Sequence, residues 1–263
     1  MVCFIDHDPT IGAEIKKKKR LNRLPLPPGR RYNQARLHEH LHEPMIAETA
    51  NHFALVSQLP EDSVVIFHNV TWDEYEELLA RVGEASGLRV SFSDGALKVM
   101  TLSDEHEKNV EFIKSLVGCI RLRFHVDILS FGSATMRRRK KTKGSEPDAS
   151  FYIQNAGVIG SRTQRDLSVD PPPDVVVEVD IHHDSRDNYP IYAALGVPEI
   201  WRYDGQAMTI YYLQGADYAM LEASVALPML TSRTLTEYLS RMQKDGELSA
   251  ILAFDEWLQS LER

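Results

Sequence analysis

Two short stretches of this sequence gather carboxylates where a hard cation would be drawn. The first is Glu146-Pro147-Asp148, directly ahead of a strand-like run over residues 149–153. The second follows three prolines: Asp174, then Val175, Val176, Val177, Glu178, Val179 and Asp180. Side chains alternate between the faces of a strand, so Val175, Val177 and Val179 fall on one side. Val176, Glu178 and Asp180 fall on the other, and two acids emerge together at the end of an apolar strand. Close carboxylates repel, and each loses hydration on burial unless a cation or a donor compensates. A divalent metal is a natural remedy, because hard cations take oxygen ligands. With Asp148 added from a neighbouring strand, the cluster holds three carboxylates and suits Mg²⁺ or Mn²⁺. The same residues also fit a plainer arrangement. In it, Asp180 opens a turn continued by Ile181, His182, His183 and Asp184, and Asp148 only caps a strand after proline.

The elements that must position these acids are legible from periodicity. Thr71 with Glu74 three residues on forms a capping box ahead of the apolar positions Leu78, Leu79 and Val82, with Gly87 as the expected stop. Strands are expected over 88–92 and 96–101, joined by Ser93-Asp94-Gly95, since Asp-Gly between alternating runs is a strong hairpin signal. A helix is expected over 104–124, where Val110, Ile113, Val117 and Ile120 recur on one face. His106 lies four residues before Val110 and points along that buried face, either into a cleft or as a satisfied core histidine. Further strands are expected over 126–131, 134–138, 148–153, 175–180, 200–204, 208–213 and 218–222, with a short helix over 187–195 and a helical tail over 235–261. Interleaved helix and strand predict an α/β or α+β class around one mixed sheet.

The charge is unevenly spread. The net charge is -8, with 43% hydrophobic and 26% charged residues, which excludes a protein that coats nucleic acid by bulk charge alone. A local strip remains available: Arg137, Arg138, Arg139, Lys140, Lys141 and Lys143 lie just ahead of Glu146. On a hairpin they would bring positive charge to the rim of the acids, where a phosphodiester backbone would lie. The alternative is a solvated, mobile loop. Residues 1–70 read as a basic, Pro- and His-rich extension, partly disordered. It opens with the run Lys16 to Arg20 and carries His38, His40 and His42, whose helix-like surroundings would spread the rings apart. Cys3 and Cys119 do not suggest a disulfide framework. No apolar run reaches the length of a signal peptide or a membrane span, so the expectation is a cytoplasmic protein.

Taken together, five stretches resemble the Uma-type restriction endonuclease family, a branch of the PD-(D/E)XK nuclease superfamily. They are Asp104-Glu105-His106-Glu107; Phe131-Gly132-Ser133; Gly144-Ser145-Glu146-Pro147-Asp148; Pro172-Pro173-Asp174 through Val179; and Tyr192 through Trp201, followed by Tyr203 and Asp204. Their order and spacing make the match specific over residues 71–239. The resemblance implies a restriction-endonuclease-like mixed central sheet flanked by helices. It implies Asp148 as the motif aspartate and Glu178 as the motif acid, both holding the metal, and His106 at a position where the family commonly has a histidine. Two positions depart from the superfamily pattern. The lysine usual two residues after the motif acid is replaced by Asp180, and the basic residue that many relatives offer from the next helix is replaced by Asn188. Lys143 or Arg186 could supply the charge, though no motif secures either.

The expected organisation is therefore an extension over 1–70, a nuclease-like domain over 71–240 and a C-terminal helix over 241–263. The leading reading is a Mg²⁺- or Mn²⁺-dependent endonuclease that hydrolyses DNA phosphodiester bonds with Asp148, Glu178, Asp180 and His106. The six-residue basic cluster would contact DNA, and a homodimer is possible. The rival is a nuclease-fold module that binds nucleic acid without cutting it. A third reading, an enzyme of another class using His182, His183 and Asp184 as ligands, is awkward because neighbouring strand residues face opposite ways.

Overall fold

The structure, a computed structural model, describes residues 58–83, 87–162 and 164–262, together with Val56 and the backbone of Val2–Ile5. The chain alternates strands and helices. In order these are β1 (Val2–Ile5), β2 (Val64–Phe67), α1 (Trp72–Val82), β3 (Leu88–Ser93), β4 (Ala96–Thr101) and α2 (Asp104–Phe124). Then follow β5 (Leu129–Ser130), β6 (Met136–Arg138), β7 (Lys143–Ser145), β8 (Ala149–Tyr152), α3 (Ala156–Ile159) and β9 (Val175–Val179). The chain closes with α4 (Tyr189–Leu195), β10 (Glu199–Tyr203), β11 (Met208–Gln214), β12 (Asp217–Leu221), α5 (Ser232–Asp245) and α6 (Glu247–Ser260). The class is mixed α/β. In place of one expected sheet, the described residues form two, ordered β1-β2-β4-β3-β7-β6 and β12-β11-β10-β9-β8-β5.

Local chemistry explains why the elements begin and end where they do. Thr71 caps α1, accepting from the Glu74 N–H while the Glu74 carboxylate accepts from the Thr71 N–H at 2.6 Å. The helix stops at Gly83 rather than Gly87, because Gly83 takes a positive φ of 60° that closes the last turn. Asp94 and Gly95 both have positive φ, 49° and 89°, the backbone that a tight β3–β4 hairpin requires. Helix α2 spans the expected residues. Asp104, Glu105 and Glu107 sit in its first turn, and Arg121 and Arg123 in its last, which suits the helix dipole at both ends. The expected single tail helix is two helices, broken at Gly246, whose φ is 89°.

Each sheet is a two-faced layer. In the first, Val65, Phe67, Val90, Phe92, Leu97 and Val99 pack against Tyr75, Leu78 and Leu79 of α1. The Tyr75 ring stacks on Phe92, with centroids 4.9 Å apart, and lies so close to Gly144 that a Cβ there would overlap the ring. In the second sheet, Val175, Val177, Val179, Trp201 and Tyr203 pack against α2, α5 and α6. Its other face, with Val176 and Ile200, meets Ile191, Tyr192 and Leu195 of α4. Three strands were not anticipated: β1, at the start of the expected extension, and two more. β2, inside the expected extension, pairs with both β1 and β4, and the three-residue β7 pairs with β3 and β6. Most of residues 1–57, including His38, His40, His42 and the Lys16–Arg20 run, lies outside the described residues.

Thr71→Ala should lower stability by about 1 kcal/mol, read as a shift in the urea midpoint at constant slope, while Thr71→Ser should retain most of it.

Candidate active site

The register of β8 against β9 pairs Ala149 with Val177, so one step further sets Asp148 opposite Glu178. Directly opposed residues of an antiparallel pair share a face. The Asp148 carboxylate bends back to the partner strand and accepts from the Val179 N–H at 2.8 Å, beside Glu178. Asp148 is 3% and Glu178 2% exposed, so both acids are withdrawn from water.

Each acid has its own compensation. Asp148 Oδ1 accepts from Arg89 Nε at 3.0 Å, and the same guanidinium reaches Glu107 of α2 at 3.1 Å. Arg89 lies on β3, so this ion pair joins the first sheet to the second. His106 Nε2 lies 3.0 Å from Asp148 Oδ2, an ion-pair contact without the alignment of a full hydrogen bond. Burial works to lower the His106 pKa, but its contacts with Asp148 and Glu107 outweigh burial and raise it to about 9. The inward position expected for His106 is thus observed, and the ring faces Asp148.

Glu178 accepts from the Tyr192 hydroxyl, which in turn accepts from Ser145 Oγ at 3.1 Å. Burial, then the charges of Asp148 and Asp180, push the Glu178 carboxyl well above the ordinary range. Tyr192 and the charge of Lys98 pull the other way. Asp180 shares the Glu178 face but is already engaged. It accepts from the Ser185 N–H at 3.0 Å and from Arg202 Nε at 2.5 Å, so it braces the turn after β9. Burial still holds its carboxyl above the usual value.

A cavity of about 200 Å³ opens between the two sheets, with Glu178, Asp180, Ser185 and Asn188 on one wall and Arg89, Ser91 and Lys98 on the other. The Asn188 Oδ1 that lines it is buried and has no hydrogen-bond partner among the described residues. Neither cation named in advance reaches this cavity. Lys143 is held by Ser93 Oγ at 2.6 Å and Asp94 at 2.5 Å, and Arg186 is paired with Asp184. Sequence reasoning missed Arg89 and Lys98. Their strand alternation was the available signal, but it could not say which face would meet the acids.

The basic run lies around a second, larger groove, where Arg137 to Lys141 adjoin Trp72, Phe131 and Arg165. Several of its charges are partnered: Arg137 with Glu76 at 3.1 Å, and Arg139 with Asp73 at 2.6 Å. Arg165 covers the Phe131 ring at 4.4 Å. The groove and the acid cavity adjoin through one hydrogen bond. Thr135 on the groove donates to Glu146, on the cavity wall, at 2.7 Å. His182 and His183 both turn to Asp62, through a carboxylate oxygen at 3.5 Å and the backbone carbonyl at 2.6 Å. Among the described residues, no group of three or more His, Cys, Asp or Glu is arranged to hold a metal ion.

Residues 72–243 match the Uma2 family, described as "Putative restriction endonuclease". The chain belongs to this family. One matching solved structure is a putative nuclease of the DUF820 group from Anabaena variabilis ATCC 29413. It is 17% identical, has a TM-score of 0.43, and aligns over 65% of this chain and 99% of its own. No curated protein matches the chain. Family membership supports a nuclease. Among the described residues no helix is long and apolar enough to cross a membrane.

The raised His106 pKa implies a stabilising contact that is complete below the ordinary value near 6.5 and lost as pH rises through about 9. Asp148→Asn removes the negative charge that holds the ring proton and leaves burial to favour the neutral ring. An NMR titration of the His106 imidazole should then show a midpoint lowered from about 9, and an unmoved midpoint would assign the shift to Glu107.

Proposed function

We propose that this chain is a divalent-metal-dependent endonuclease acting on DNA, with Asp148 and Glu178 as the acids that hold the cation. The observation that carries this reading is the pairing of two buried carboxylates across β8 and β9, one of them pushed towards its neutral form by burial and by its neighbours' charge. A cation relieves that repulsion. The donors are hard oxygens, and the unpartnered Asn188 Oδ1 on the same cavity wall as Glu178 adds another. A set of two carboxylates suits Mg²⁺, which keeps several waters and completes its sphere with substrate phosphate oxygens. Mn²⁺ takes the same ligand type.

A metal held here would supply a water of lowered pKa and neutralise charge developing on the scissile phosphate. The chain's own residues set up that event. Tyr192 fixes the Glu178 carboxylate by hydrogen bond, and Arg89 with the Val179 N–H fixes that of Asp148. Apolar walls from Val64, Ile66 and Met100 limit water around the acids. In the hydrolysis, the water oxygen loses a proton to solvent and bonds to phosphorus as the bond to the leaving deoxyribose oxygen breaks, and that oxygen takes up a proton. The basic groove beside the cavity supports a path for the flanking backbone, with Lys140 and Lys141 exposed along it.

The second reading, a module that binds nucleic acid without cutting it, is favoured by two observations. Both Asp148 oxygens are already engaged, and Asp180 stands paired to Arg202 where the superfamily has lysine.

Purified protein with Mg²⁺ or Mn²⁺ should nick supercoiled plasmid, and Asp148→Ala or Glu178→Ala should abolish nicking. Arg89→Met, which frees Asp148 without removing it, should lower activity or metal affinity roughly 10–100-fold. Wild-type inactivity across metals and DNA forms, with binding that weakens steeply with salt and survives Glu178→Ala, would establish the second reading instead.

A further inference from the structure

A phosphodiester drawn into the cavity beside Glu178 brings negative charge against acids, so a free cation is needed where it would sit. The side chains lining the cavity include two long-chain cations, Arg89 and Lys98. Arg89 is consumed by Asp148 and Glu107. Lys98 is different. It sits on β4 between Ile66 of β2 and Ser91 of β3, and neither cross-strand neighbour carries a charge. Among the described residues its ammonium forms no hydrogen bond and no ion pair. The alternation of β4 buries Leu97 and Val99 against α1, which leaves Lys98 on the sheet face that looks across the cavity towards β9. The opposite wall cannot supply the charge: position 180 is an aspartate, and position 188 is an asparagine.

We propose that Lys98 binds a non-bridging oxygen of the scissile DNA phosphate, reaching from the first sheet across to the acids of the second. The proposal rests on the nuclease reading of the same cavity. The lysine is supplied from outside the strand that bears the acids, by a hairpin whose register sets which of its residues face them. Its charge acts on Glu178 in the right sense, since the Lys98 ammonium favours the ionised carboxylate. An ammonium in a cavity with apolar walls is worth more to a developing phosphate charge than one in water.

The contact can be read without any cleavage. Wild-type protein is acetylated with a limiting amine-reactive reagent, with and without a short DNA duplex in Ca²⁺, and each lysine is quantified by mass spectrometry. Lys98 labelling should fall several-fold with duplex bound, while Lys244, exposed on α5, should not change. Equal labelling of Lys98 with duplex bound, or failure of any duplex to bind, overturns the proposal. In Mg²⁺, Lys98→Met should lower kcat roughly 100-fold with a smaller change in KM, and Lys98→Arg should restore part of it. If the wild type cuts and Lys98→Met cuts equally well, Lys98 is excluded and the nuclease reading stands. If the duplex protects Lys98 but nothing is cut, the phosphate contact stands and the catalytic reading fails.

Discussion

The arrangement depends on the burial of the Glu178 carboxyl opposite Asp148, two acids brought together by one β-ladder register. Neither can remain ionised in that place without help, because each has left water and each sees the other's charge. Much of what surrounds them supplies that help. Arg89 comes from the first sheet, His106 from α2, and Tyr192 from α4. Three separate elements thus converge on one pair of side chains. The Arg89 bridge, whose side chain is 10% exposed, makes the relative placement of the two sheets part of the site.

The compensation differs among the three acids. At Asp148 it comes from a guanidinium, a protonated ring and a backbone N–H. At Asp180 it comes from Arg202 and Ser185. At Glu178 the hydrogen-bond partner among the described residues is a neutral phenol, and burial with the neighbouring charges pushes that carboxyl well above the ordinary range. A perturbed acid in a cavity between two sheets, with a free cation facing it, fits a group poised for a ligand rather than a scaffold. Asp180 fits a scaffold: its oxygens organise the turn that carries Ser185 and leads into Asn188 and α4.

The paired cations of the β6–β7 region show why a run of like charges in sequence is a weak guide. Arg137 and Arg139 spend their charge on α1, and Lys143 on the β3–β4 turn, so the run partly holds the first sheet's helix and hairpin in place. What it leaves to solvent faces a groove next to the acid cavity, joined to it by the Thr135–Glu146 hydrogen bond.

The sequence by itself determined the local elements and the face each would bury. The capping box at Thr71, the Asp94-Gly95 turn, the 104–124 helix and the alternation that set Glu178 and Asp180 apart from the valines all act within a few residues, where propensity and periodicity have force. It also singled out Asp148 and Glu178 as candidate residues, because their flanking motifs are local. Tertiary structure alone decided that there are two sheets, that β2 and the short β7 complete the first, and that Arg89 and Lys98 look across at the acids. Those choices rest on contacts such as Arg89 with Asp148, 59 residues apart. No local pattern encodes such a separation, because which face of one sheet meets which end of another is settled only when both are packed and their charges must be balanced.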